Sequence, residues 1–289
     1  MAHLYGGIEA GGTKFVCVAG TGPGDIRAEV RIDTTTPQRT LDEVIAFFRA
    51  QRKQLGPFKA IGIACFGPLD LKAGRITSTP KRGWRDTEIA KPVRQALRVP
   101  VAIDTDVNGA ALGEGMWGAG KGLDTFLYLT VGTGIGGGVV VNGNPLHGLL
   151  HPEMGHLRIP HDGGFAGICP FHGDCLEGLA CGPAIERRYG LPAEQLPRTH
   201  EAWDVEARNL SYALVNYIGT LSPQRIIMGG GVMQQGHLFP KIRKEVKRLL
   251  GRYIRATQLE SGINHYIVPP ALGNHAGVLG AIALAMRAS

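Results

Sequence analysis

Residues 4–8 form an apolar run that meets the polar, glycine-rich stretch Glu9-Ala-Gly-Gly-Thr-Lys14 and resumes as the apolar run Phe15-Val-Cys-Val18. This pattern predicts strand, tight turn and strand, a hairpin. Thr40-Leu-Asp-Glu43 reads as a capping box ahead of Val44, Ile45 and Phe48 at helical spacing, so a helix is expected to about Gln54. Residues 60–64 and 101–103 read as short buried strands, and 108–117 as a helix opening just after Asp104 and Asp106. Residues 1–117 thus make a first α/β lobe.

The pattern then restarts. After Gly118-Ala-Gly-Lys-Gly122 come an apolar run at 126–131, the glycine turn 132–138 and a second run at 139–141. Helices are expected around 201–220, 238–255 and 276–287, and the polar, proline-bounded stretch 192–197 is expected on the surface. Residues 118–289 make a second lobe, with the last helix packing back on the first. Two copies of strand, Gly/Thr turn and strand suggest similar lobes around a ligand cleft.

Gly132-Thr-Gly134-Ile-Gly-Gly137 matches the dinucleotide fingerprint in letters, but that motif must open a helix, and here a strand follows. Gly11-Gly12-Thr13-Lys14 lacks the earlier glycine of a P-loop. A glycine hairpin still exposes backbone N–H groups in a concavity that suits phosphate oxygens, and Thr13, Thr133 and Lys14 add hydroxyl and ammonium donors. Either turn alone could equally be ordinary hairpin chemistry. Gly229-Gly230-Gly231, after the run 225–228, is a strand end suited to a flat ligand such as adenine, or a plain strand-to-helix turn.

Composition narrows the class. Apolar residues at 44% and charged residues at 19% describe a globular chain, and 43 glycines in 289 residues is about twice the usual share. The net charge of +7 admits an anionic partner, but the densest basic stretch, 241–255, has the spacing of a solvated helix face. Nucleic acid and membrane surfaces are therefore not expected. No run reaches a membrane span and the first residues lack a signal-peptide pattern, so a cytoplasmic setting is expected.

Cys169-Pro-Phe-His172-Gly-Asp-Cys175, with His156 upstream, supplies four nitrogen and sulfur donors for a tetrahedral, structural zinc. A loop with two free thiols or a Cys169–Cys175 disulfide would use the same residues otherwise. Cys17, Cys65 and Cys181 read as small core residues. Asp106, at a strand end before a helix, is either a helix cap or the carboxylate that a kinase needs at an acceptor hydroxyl. Glu153 and Glu177 flank the Cys/His loop. They are surface glutamates or acceptors for a polyol.

Taken in order, these motifs resemble the ROK family of bacterial sugar kinases over nearly the whole chain. Glu9–Lys14 resembles the first phosphate motif, residues 106–114 the catalytic motif and 130–136 the second phosphate motif. Residues 153–156 resemble the sugar motif, 169–177 the zinc loop and 229–231 the adenosine motif. The resemblance implies a duplicated actin-like, ribonuclease-H-like α/β fold, ATP with magnesium, phosphorylation of a hexose and a homodimer. It makes Asp106 the general base. Glu153, His156, Glu177, Thr105 and Gly67 would contact sugar, and Glu9 would neighbour magnesium. Gly11, Gly12, Thr13, Lys14, Gly132, Thr133, Gly134, Gly229, Gly230 and Gly231 would hold ATP, and His156, Cys169, His172 and Cys175 the zinc.

Most members carry aspartate at Glu9, a cysteine stands at His172 in the family's zinc set, hexose kinases preferring glucose usually carry asparagine at Thr105, and many glucokinases carry it at Lys81. These departures resemble the fructokinase branch, with fructose to fructose 6-phosphate as the expected reaction and glucokinase or mannokinase as alternatives. A sugar-responsive repressor of the family would need a helix-turn-helix ahead of Leu4, for which no room is read; a non-catalytic sugar-binding protein is the other alternative.

Overall fold

The first apolar run extends further than its hydrophobic residues suggest. In the computed structural model, which describes residues 3–161 and 163–288, β1 (Leu4–Ala10) takes in Glu9 and pairs antiparallel with β2 (Lys14–Gly22). β3 (Asp25–Asp33) adds an antiparallel edge strand. It was legible only as alternation, Ile26, Ala28, Val30 and Ile32 between Arg27, Glu29 and Arg31. β4 (Phe58–Cys65) and β5 (Val101–Thr105) continue the sheet in parallel on the other side of β1.

Helix α1 (Pro37–Leu55) starts one turn before the expected capping box. Pro37 is pre-set for the first helical turn, so Thr40 already lies inside the helix. Its buried hydroxyl bonds the Asp33 carbonyl at 3.2 Å and the Thr35 N–H at 3.0 Å. Leu41, Val44, Ile45 and Phe48 then pack with Ile61, Ile63, Val93 and Leu97, the last two from α2 (Ala90–Leu97), on one face of the sheet.

The opposite face is covered by α3 (Asp106–Trp117) and by the chain's last helix, Ala276–Arg287. That packing needs glycine. A Cβ on Gly62 of β4 would lie 1.9 Å from the Ala281 carbonyl oxygen, and one on Gly280 would lie 2.0 Å from that of Gly109. Much of the glycine excess is thus backbone lying on backbone. Glu114, fully buried in α3, accepts from the N–H groups of Ala119, Ala271 and Leu272 at 2.6, 3.1 and 2.8 Å, tying the segment before the last helix to this face.

This first unit comprises Met1–Gly122, Asn144–His151 and Ala271–Ser289; the second comprises Leu123–Gly143 and Pro152–Pro270. The sequence boundary at 117/118 placed 144–151 with the second lobe, whereas His147 and His151 of that segment bond Asp104 and Leu69 of the first unit. In the second unit β6 (Phe126–Val131) pairs antiparallel with β7 (Ile135–Val141) and parallel with β8 (Ile226–Gly229), which pairs parallel with β9 (Ile267–Val268). Central strand, antiparallel partner and two parallel strands is also the arrangement of β1, β2, β4 and β5: the ribonuclease-H-like pattern, duplicated. The second glycine turn is tighter than expected, because Gly136, Gly137 and Gly138 lie within β7.

The second unit also holds helices α4 (Leu176–Ala180), α5 (Gly182–Tyr189), α6 (Ala202–Leu221) and α7 (Leu238–Leu250). α7 stops five residues short of the expectation, since Gly251 and Arg252 adopt φ of 58° and 62°. Arg252 and Arg255 therefore leave the helix, and Lys241 is paired with Asp204 at 2.5 Å. Among the described residues, no helix is long and apolar enough to cross a membrane.

Candidate active site and Cys/His centre

Asp106 is the first residue of α3, directly after β5. The cap is Thr105, whose hydroxyl accepts from the Asn108 N–H at 3.1 Å, so the capping role that Asp106 could have filled is already taken. The Thr105 side chain is buried and engaged in that bond. Asp106 is half-buried and accepts from the Val107 N–H at 2.9 Å; burial pushes its carboxyl up to about 6 against the backbone N–H groups that stabilise its charge.

Glu9 sits opposite Ala64, which sits opposite Asp104, across three neighbouring strands. Its carboxylate lies against the last helix, where a Cβ on Gly277 would be 2.4 Å from Oε1. Burial first, and Asp106 second, raise the Glu9 carboxyl to about 7, while Lys14 opposes them. A carboxylate such as that of Glu9 is the kind of oxygen donor a hard dication such as magnesium takes.

Asp104, Asn108, His147 and His151 were missed in the sequence, where Asp104 marked only a strand end. Asp104 is buried and accepts from the Thr105 N–H and Asn108 Nδ2, each at 2.8 Å, and from His147. Buried His151 accepts the Leu69 N–H at 2.9 Å on Nε2, and its ring lies 3.3 Å from where a Cβ on Gly67 would sit.

In the first hairpin the Gly11 N–H bonds the Lys14 carbonyl at 3.0 Å, Gly12 faces open space, and Thr13 and Lys14 are exposed. In the second unit Gly132 and Gly134 close the turn at 2.9 Å with Thr133 exposed at its tip. Gly230 lies directly against it: with φ of 92°, its Cβ would be 2.4 Å from the Val131 carbonyl oxygen. The expected phosphate turn 132–134 and adenosine motif 229–231 are therefore adjacent.

The Cys/His centre is the sharpest geometry in the molecule. His156, Cys169, His172 and Cys175 place one donor each within 4.8 Å of one another. The two Nδ1 atoms are 3.3 Å apart, and His156 Nδ1 lies 3.7 and 3.5 Å from the sulfurs of Cys169 and Cys175. Zinc–nitrogen and zinc–sulfur bonds of about 2.05 and 2.3 Å give tetrahedral edges of about 3.3 and 3.6 Å. The donor set fits zinc in chemistry and spacing, and four protein donors leave no open position.

Glu177, in the first turn of α4 just after Cys175, accepts the Ile135 N–H at 2.9 Å and so joins the loop to the second hairpin. Glu153 is exposed, directly ahead of the short turn Met154–His156. Cys17, Cys65 and Cys181 are buried; burial raises all three thiols, that of Cys181 to about 12.

The chain matches the model of the ROK family over residues 5–288. It is 44% identical to a fructokinase of Zymomonas mobilis, covering 99% of this chain and 97% of that protein. Among solved structures it is similar to the ROK hexokinase from Thermus thermophilus, with a TM-score of 0.82, 29% identity and 98% of each chain covered. A ROK family glucokinase from Streptomyces griseus, solved with glucose and AMPPNP, gives 0.80 at 26% identity, covering 98% of this chain and 99% of that one. The likeness runs the length of the chain and holds in sequence as well as in fold, and the chain belongs to the ROK family.

Proposed function

We propose that this protein is an ATP-dependent hexose kinase whose preferred substrate is fructose, converted to fructose 6-phosphate. The observation that carries the catalytic reading is Asp106: a half-buried carboxylate at a strand end, free of the capping role, with its proton affinity raised to about 6. In the reaction the sugar hydroxyl oxygen bonds the γ-phosphorus of ATP, the bond to the ADP oxygen breaks, and the hydroxyl proton passes to Asp106. Gly11, Gly12, Thr13 and Lys14, and likewise Gly132, Thr133 and Gly134, offer donors to phosphate oxygens, with Gly229, Gly230 and Gly231 toward the base. Glu9 would stand beside magnesium, which supplies charge neutralisation on the phosphates when bound.

Glu153, His156, Glu177, Thr105 and Gly67 are assigned to the sugar side, Thr105 through its backbone position, since its hydroxyl caps α3. Zinc on His156, Cys169, His172 and Cys175 would fix the loop that carries Glu177. Fructose is favoured over glucose because identity to the Zymomonas fructokinase, at 44%, far exceeds the 26% to the Streptomyces glucokinase. The enzyme is read as a cytoplasmic homodimer, by family resemblance. A coupled ADP-release assay across fructose, glucose, mannose and N-acetylated hexoses tests the function. The highest kcat/KM is expected for fructose; a higher value for glucose would overturn the substrate, and no turnover on any hexose the activity.

A further inference from the structure

Asp104 is two residues from the proposed base, yet nothing in the reaction uses it. It is only 4% exposed, and a carboxylate removed from water must be met by donors. Two come from its own turn, the Thr105 N–H and Asn108 Nδ2, and both reach Oδ1. The third is His147, whose Nε2 lies 3.2 Å from Oδ1 and 3.0 Å from Oδ2. Local donors keep the turn's internal shape. The histidine arrives from 43 residues further along and ties the turn to another part of the chain.

The same short segment holds a second loop. His151, four residues after His147, accepts the Leu69 N–H and packs on Gly67. Residues 144–151 belong with the first unit. Their two histidines thus bond the segment that follows β4, which carries Gly67, and the end of β5, where Thr105 leads directly into Asp106 of α3. One strap spans the segment assigned to sugar contact and the strand-to-helix junction assigned to proton removal.

We propose that His147 is a positioning residue for phosphoryl transfer: by donating to Asp104 it fixes the turn from which Asp106 meets the sugar hydroxyl. This rests on the kinase reading above. A neutral or protonated imidazole can equally donate from Nε2, so what the position requires is an N–H and not a charge. A carboxylate displaced by about 1 Å can lose on the order of 100-fold in rate while ATP binding, made elsewhere, is spared.

The test is steady-state kinetics of His147→Ala, His147→Gln, Asp104→Asn and the double variant Asp104→Asn/His147→Ala, with fructose and ATP varied separately. His147→Ala should lower kcat by about 10- to 100-fold with KM for ATP within about threefold, and His147→Gln, which keeps an amide N–H, should recover most of it. The double variant should be no worse than the worse single one, because both break the same contact. Wild-type kcat in His147→Ala, or losses that multiply in the double variant, would overturn the proposal. Ring nitrogen NMR of His147 supplies an arm that needs no turnover: Asp104→Asn should move its Nε2 signal, and an unmoved signal overturns the pairing. Absent turnover in the wild-type protein would instead strike at the kinase reading.

Discussion

Gly280→Ala should both destabilise the protein and slow it. The added methyl carbon would lie 2.0 Å from the Gly109 carbonyl oxygen, 2.2 Å from its carbon and 2.7 Å from the Ala110 nitrogen. All three are helix backbone, which cannot swing aside as a side chain can. Carbon–oxygen contacts need about 3.3 Å, so the last helix and α3 must part by roughly 1 Å. Overpacking of this kind costs about 1–3 kcal/mol, and for a protein of this size that lowers Tm by about 2–12 °C. α3 begins with Asp106, three residues before Gly109, so the same displacement should reduce kcat by about 10- to 100-fold. Thermal denaturation followed by circular dichroism, with the coupled assay at 25 °C, reads both effects. Gly219→Ala in α6 is the matched control: its Cβ meets nothing within 4 Å, so helix propensity alone should stabilise by about 0.5–1 kcal/mol. If Gly280→Ala melted with the wild type at full activity, the close-packed helix contact would be refuted.

Asp106→Asn should lower kcat by about 10²–10⁴-fold in a folded protein, measured with saturating fructose. Because Asp106 must be ionised to accept the proton and its carboxyl is raised to about 6, kcat/KM should fall as pH drops through about 6 and level off above it; a flat profile down to pH 5 would count against this base. Elemental analysis should find one zinc per chain, and Cys175→Ser should lose it together with thermal stability; active enzyme with almost no zinc would exclude the site. Glu206, fully buried in α6 with Oε1 unpartnered, has its carboxyl held well above the usual range by desolvation. Its contribution is complete below about pH 4 and is lost as pH rises toward the raised folded value, so denaturant unfolding should show wild type losing ground to Glu206→Gln as pH rises above about 5. Parallel stability curves would contradict that.

What could be read from the sequence was chemistry confined to a few consecutive residues. The four Cys/His donors lie on one loop plus one upstream histidine, so ligand spacing alone described them. The glycine hairpins announced themselves in the same local way. β3 escaped because it is an edge strand with only one apolar face, which leaves alternation and no apolar run to mark it. The Asp104–His147 contact was illegible, since only folding brings position 147 to position 104. The helix cap shows a third kind of limit: the sequence offered Asp106 for it, and backbone direction gave it to the Thr105 hydroxyl.

The last helix has a consequence for how the chain comes to be folded. Strands β1 and β4 are made early in synthesis, yet the helix that covers one of their faces, Ala276–Arg287, leaves the ribosome after the whole second unit. Until then Gly62, Ala64 and Tyr5 present an uncovered surface of sheet. The second unit, made of residues 123–143 and 152–270, is complete by residue 270 and can close first. A nascent chain halted at residue 270 should therefore carry an ordered second unit and a first unit open to proteases and chaperones, an order of assembly opposite to the order of translation.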